Sequence, residues 1–280
     1  MKPMTLLSLI AGAVLLNSAA HAQQQAEPVT QVIVGESVYG FSEQPRLLNA
    51  YLAAELEPSA YWPSSRVVTA AQTQKLAERR SQVLERLQQL ASVATAEGEE
   101  ALAADAQAYA EQLQSWPLIG AEWIGRTKID DRLDVQSGVS FERRSLYSSF
   151  NQATASLQAN PLLPAGSLQI LPPRDLGAWQ VTVISPAGVK KLPFTADDSV
   201  RDVLQQAGVF AQRYDLSSAY LIALTGLSRS TDVAYYNDAA AMPPVHGLIF
   251  VGLDLSAMDA EWQSLNTQLR ALLSYWNPQS

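Results

Sequence analysis

The chain has 280 residues, 19 Lys+Arg against 27 Asp+Glu, a net charge of −8 and no cysteine. That acidic balance disfavours nucleic acid and anionic membrane surfaces as partners. Without cysteine there is no thiol catalysis, no thiolate metal site, no disulfide staple and no lipid-anchor Cys.

Residues 1–22 read as a secretory leader. Lys2 gives a positive start, T-L-L-S-L-I-A-G-A-V-L-L (5–16) is the apolar core, and Ala20-His21-Ala22 is an A-x-A cleavage site. An apolar run of about 12 residues is too short to span a bilayer. The mature chain is therefore expected in the periplasm, with no direct membrane span. Losing Lys2 and His21 makes it more acidic still and leaves one histidine, His246.

V-T-Q-V-I-V-G-E-S-V-Y-G-F (29–41) reads as strand, turn, strand. The same pattern recurs in W-Q-V-T-V-I-S-P-A-G-V-K-K-L-P-F (179–194), with its turn at Pro186-Ala187-Gly188. P-R-L-L-N-A-Y-L (45–52) then matches D-S-V-R-D-V-L (198–204), where Val200, Val203 and Leu204 have helical spacing and Gly208 stops the run. Y-W-P-S-S-R-V-V (61–68) matches Y-D-L-S-S-A-Y-L (214–221), and N-P-L-L-P-A-G-S-L-Q-I-L-P-P (160–173) matches the stretch from Asn237 to Gly252. The later copy runs strand, strand, helix, then strands at 219–226 and 247–254, which is a β-grasp order. Two copies predict an α+β fold of two tandem β-grasp (ubiquitin-like) domains, at 23–173 and 174–255.

The first copy is interrupted at about 69–116. Leu76, Arg80, Val83, Leu87, Leu90 and Ala94 mark one helical face; Leu102, Ala106, Tyr109, Leu113 and Trp116 mark another beyond Gly98. This predicts an antiparallel helical hairpin burying its own seam, with Gln/Glu/Ala-rich exposed sides, either as a spacer or as a docking arm. After it, 125–135 reads as a strand and charged turn, and 141–158 as a polar segment.

The tail, 256–280, is expected to be an amphipathic helix. Met258, Trp262, Leu265, Leu269, Leu272 and Trp276 follow a 4-3-4-3-4 spacing, with Asp259 and Glu261 in the first turn, where the helix dipole favours them. That face either packs onto the second domain or docks in a partner, with Trp262, Leu265, Leu269, Leu272 and Trp276 as the docking residues.

Catalytic chemistry is hard to find. A Ser-His-Asp triad would need His246, and no G-x-S-x-G elbow is present. One histidine without cysteine leaves only carboxylates for zinc, and no glycine-rich phosphate loop occurs. No catalytic residue, metal or cofactor is assigned. A glycosidase-type carboxylate pair would be sought among Asp130, Asp131 and Asp134.

Y-W-P (61–63), the helical insertion, Gly125-Arg126 before an Asp-bearing strand, N-P-L-L-P-A-G-S (160–167) and Y-N followed by P-P (236–244) occur in the order found in one family. Across the whole mature chain the sequence resembles the GfcC-type periplasmic capsule-biosynthesis proteins, known from group 4 capsule and related exopolysaccharide clusters. The resemblance implies two β-grasp domains similar to those of the outer-membrane polysaccharide export pore, a hairpin in the first and a terminal amphipathic helix. It also implies a non-enzymatic part in capsule assembly or export, with the export machinery, the polysaccharide or both as partners. Arg126 matches the arginine of the family's T-G-R step, with Ile124 in place of Thr. It is the ligand-binding candidate, since a guanidinium can grip a carboxylate or phosphate through two hydrogen bonds; an ion pair with Asp130, Asp131 or Asp134 is the structural alternative. A glycan site there would draw on Trp62 and Trp123. Val245-His246-Gly247 departs from the family's Pro-Gly-polar turn.

Overall fold

The computed structural model describes residues 28–124, 139–141, 147–213 and 215–277. It is an α+β structure with two mixed sheets. In the first, β1 (Thr30–Val34) and β2 (Ser37–Phe41) form a hairpin whose turn uses Gly35 at φ 60°. Helix α1 (Leu47–Ala53) follows, then β3 (Arg66–Thr69), β4 (Ala121–Trp123) and β6 (Gly166–Leu171), in the sheet order β2-β1-β6-β3-β4. Helix α4 (Phe150–Ala155) lies between β4 and β6 in sequence and begins at a Ser149/Gln152 capping box.

The second sheet repeats this plan. Its strands are β7 (Gln180–Ser185), β8 (Gly188–Pro193), β9 (Ser218–Ile222), β10 (Leu227–Asp232) and β11 (Leu248–Phe250). The order β8-β7-β11-β9-β10 matches the first sheet strand for strand, including the parallel pair, β1 with β6 and β7 with β11. Helix α5 (Val200–Gln206) starts at a Ser199/Asp202 capping box and is followed by Gly208 at φ 79°. The duplication read from local sequence matches is therefore present as a duplicated topology.

The second sheet has one further strand. β5 (Val139–Phe141) pairs antiparallel with β10, Leu227 opposite Phe141, although its sequence lies between strands of the first sheet. β4 and β10 leave little trace in the sequence because each is short or polar: Leu227–Asp232 reads L-S-R-S-T-D. The strand and charged turn expected at 125–135 fall outside the described residues.

The insertion forms α2 (Ala70–Glu97) and α3 (Glu100–Leu113). Thr69 caps α2 through the Gln72 amide, and Gly98 ends it at φ 83°. The predicted seam is buried, but not only against itself. Val83, Leu87 and Leu90 of α2 and Tyr109 and Leu113 of α3 share one core with Ile184, Ile222, Leu248 and Phe250 of the second sheet. The hairpin, inserted in the first repeat, thus covers the second.

The strand period explains why. Val181, Val183, Leu221, Ile249 and Val251 face a core with α5, while Ile184, Tyr220, Ile222, Leu248 and Phe250 face the hairpin. Both faces of the second sheet are apolar, as in other sheets covered on two sides. The first sheet buries Val32, Val67, Leu168 and Ile170 with α1 on one face. Gln31, Ile33 and Gln169, at intervening positions, are half-buried.

The tail corrects the expected helix. Only α6 (Leu265–Leu273) is helical; 256–264 is a series of turns. Asp254 Oδ1 accepts from the Ser256 amide (3.0 Å) and hydroxyl (2.7 Å), and the Gln263 side-chain amide donates to the carbonyls of Leu255 (2.6 Å) and Met258 (3.1 Å). These side chains take up backbone groups that a helix would use. Asp259 and Glu261 therefore precede the helix instead of occupying its first turn.

Phe250 is fully buried between Tyr109 and Tyr220, at ring separations of 5.6 and 6.0 Å. Phe250→Ala should lower unfolding free energy by about 3–5 kcal/mol, measured by urea denaturation. A loss below about 1 kcal/mol would contradict a shared core between hairpin and sheet.

Candidate functional site

Arg126, Asp130, Asp131 and Asp134 lie outside the described residues. The chain reaches them from β4, whose Trp123 stands where the two sheets meet. Arg66, on β3, donates to the carbonyls of Pro63 (2.7 Å), Ser65 (2.7 Å) and Leu224 (2.9 Å), the last in the turn between β9 and β10. Its guanidinium lies 5.3 Å from the Trp123 ring. Gly226, at φ 78° in that same turn, leaves the space that Trp123 fills: a Cβ there would collide with the indole.

Neither aromatic nominated beside Arg126 offers a free face. Trp123 is 2% exposed and Trp62 5%. Trp62 donates to Pro58 O at 3.2 Å and packs 4.9 Å from Tyr51. They are core residues, which corrects the expectation that they form a sugar-stacking surface. The most exposed aromatics among the described residues are Tyr235 (89%) and Tyr236 (80%), just after β10.

The docking face expected of the tail is filled by the chain itself. Trp262, Leu265, Leu269 and Leu272 are buried in the core shared with the hairpin and second sheet, and Trp276 is half-buried against it. Backbone contacts hold it there: Ile119 N donates to Tyr275 O and Asn277 N to Pro117 O, both at 2.9 Å. Asn266 adds a two-way clamp on Leu253, accepting from its amide and donating to its carbonyl at 2.8 Å each. This face is occupied, because the hydrophobic residues at helical spacing complete the cover of the second sheet.

Polar contacts fix the hairpin in register. The Tyr109 hydroxyl donates to Val251 O, and the Gln112 amide donates to Ser185 O and Pro186 O at 3.0 Å. Asp105 meets Arg213 at 3.0 Å. Burial nevertheless outweighs that guanidinium and holds the Asp105 carboxyl above its ordinary range.

Outside these contacts two open grooves border the hairpin among the described residues. One, of about 560 Å³, lies between α2 and α3 among small and polar residues such as Ala91, Ser92, Ala103 and Gln107. The other, of about 660 Å³, lies between α2 and α6. Its α2 wall carries Arg79, Gln82, Glu85, Arg86 and Gln89, and its α6 wall Thr267, Gln268 and Ala271. Spacing of 3, 4 and 3 puts Arg79, Gln82, Arg86 and Gln89 along one side of α2. By sequence they belong to the exposed, Gln/Glu-rich side of the hairpin, with nothing to mark a site.

His246 occupies a tight turn at φ 55°, its amide donating to Gln180 O at 2.7 Å. Burial, then the nearby Lys191 charge, lowers its pKa below the ordinary 6.5. Its contribution to stability is therefore present above pH 6.5 and declines as pH falls through the lower, folded-state value. An imidazole titration by NMR should give a midpoint below 6.5. His246→Asn, which tolerates this backbone, should remove that part of the pH dependence; a midpoint at or above 6.5 would contradict the assignment.

The described residues contain no helix long and apolar enough to cross a membrane. The chain matches two descriptions among known families: "Capsule biosynthesis GfcC, N-terminal" over residues 24–137 and "Capsule biosynthesis GfcC C-terminal" over residues 188–277. No curated protein matches it. The first match spans β1 to the hairpin and beyond β4; the second spans β8 to the end of α6. Two matches in the family's own order, over most of the chain, place this protein in the GfcC capsule-biosynthesis family.

Proposed function

We propose that the protein is a non-enzymatic periplasmic accessory in the assembly or export of a capsular polysaccharide or exopolysaccharide, built on two β-grasp domains. Membership of the capsule-biosynthesis family carries this reading. The repeated sheet order, with a parallel pair inside each sheet and a helix after each first hairpin, supports the β-grasp assignment. The leader at 1–22 supports the periplasm.

Support for a non-enzymatic role comes from where titratable groups are used. Burial raises the Tyr51 and Tyr109 phenols, and each hydroxyl is engaged by a backbone carbonyl, Ser148 O and Val251 O respectively. Asp105 is tied to Arg213, Asp202 to a capping box and His246 to a turn. Among the described residues each of these groups makes a contact that serves the structure, including Asp105, Tyr109 and Arg213, which act on one another.

Contact with the export machinery belongs to this proposal and falls on the outer surface, since the apolar face of α6 is internal. Direct contact with the polysaccharide is the second reading, favoured by the arginine-bearing groove between α2 and α6. Deleting the gene should reduce polysaccharide at the cell surface and leave polymer of unchanged repeat-unit structure inside the envelope. Unchanged surface polysaccharide would overturn the role. Purified protein that shortened or altered the glycan would replace it with an enzymatic one.

A further inference from the structure

We infer that the groove between α2 and α6 is a binding site for an anionic saccharide. This rests on the capsule-biosynthesis reading for the choice of a saccharide, and on the groove itself for its charge. At about 660 Å³ the groove falls within the range of about 300–1,000 Å³ typical of small-molecule sites. Arg79 to Gln89 is eleven residues of α2, ten rises or about 15 Å of wall, so the site is elongated, as a chain ligand requires.

The lining is rich in planar polar groups. Arg79 and Arg86 stand with Gln82, Gln89 and Gln268 around the cleft, with Glu85 the one carboxylate among its lining residues. Two guanidinium groups against one carboxylate make the groove locally cationic in a chain of net charge −8. Glu85 Oε1 accepts from the Gln89 amide at 3.3 Å within the same wall. Arg86 is held in place: Nη1 donates to Ser264 Oγ (3.1 Å), Nη2 to Glu261 O (2.6 Å), and its guanidinium lies 5.5 Å from the Trp262 ring. Such a fixed cation is present before a ligand arrives and loses little freedom on binding.

Arg79 is its complement. It is exposed and has no hydrogen-bond or ion-pair partner among the described residues. The adjacent Arg80 is committed elsewhere, donating to Leu113 O at the end of α3. A free guanidinium with five donors suits a carboxylate or phosphate on the ligand. Side-chain amides supply both donors and acceptors, which match hydroxyl groups in a way that a purely cationic surface does not. The arginines favour an acidic ligand over a neutral glycan, the amides can pair with its hydroxyl groups, and the preference for a sugar chain over an acidic peptide rests on the capsule-biosynthesis reading.

The test uses purified mature protein and four probes in calorimetric titration: hexamers of galacturonate, hyaluronan hexamers, neutral dextran oligomers and polyglutamate. Saturable binding to at least one acidic oligosaccharide is expected, at least tenfold tighter than to dextran or polyglutamate. Arg79→Gln and Arg79→Glu should each weaken it at least tenfold. Arg229→Gln, which removes an exposed charge on β10, should leave it within twofold. Binding to neither acidic oligosaccharide, equal binding to polyglutamate, or an equal loss in Arg229→Gln would overturn the site. The outcome is separable from the capsule role. A deletion phenotype without saccharide binding removes the groove alone; an absent phenotype removes the role whatever the titration shows.

Discussion

Two apolar faces on the second sheet set the terms for the rest of the molecule. Along β9 and β11 every side chain from Ala219 to Ile222 and from Leu248 to Val251 is apolar or aromatic, and alternation sends successive residues to opposite sides. Helix α5 can cover one side only. Leaving the other in water would expose Ile222, Leu248 and Phe250 together, each worth about 1.5–3 kcal/mol on burial. A second cover is therefore a condition of the fold, and the chain supplies it from two distant places, the inserted hairpin and the tail.

That arrangement joins the two repeats by packing as well as by their linker. The hairpin leaves the first sheet after β3 and returns at β4, yet its apolar side rests on the second sheet. The tail closes over both, with its backbone bonded to Pro117 and Ile119 at the hairpin exit. Arg66 and Trp123 add a polar and aromatic contact against the β9–β10 turn. β5 crosses in the same direction, adding a strand from the first repeat's sequence to the second sheet. The amphipathic tail is thus a structural element of this core.

The groove is a consequence of unequal lengths. Helix α2 has 28 residues, about 42 Å, and α6 has 9, about 14 Å. The short helix covers part of the long one's flank and leaves a cleft beside it, where the polar stripe from Arg79 to Gln89 becomes one wall. The exposed side of the hairpin, to which its arginines belong, was legible in the sequence. Their facing wall was not, because Thr267, Gln268 and Ala271 are brought opposite only by the packing of Leu265, Leu269 and Leu272 into the core.

Local sequence determined much of this protein: the repeated strand-turn-strand openings, the capped helices ending near Gly98 and Gly208, and the two apolar stripes of the hairpin. Those features depend on side-chain period and backbone preference, which neighbours along the chain settle. The short strands Ala121–Trp123 and Val139–Phe141 and the polar strand Leu227–Asp232 have little intrinsic signal and exist because an adjacent strand offers them hydrogen bonds. The tail's heptad-like spacing overstated its helix, since side chains of Asp254 and Gln263 captured the backbone of the preceding turns. An apolar stripe states that a face will be buried, and nothing within it names the partner. Whether Trp262 and its neighbours met a second protein or their own second sheet was decided by tertiary structure alone, because burial is non-directional and takes whichever complementary surface the fold brings near.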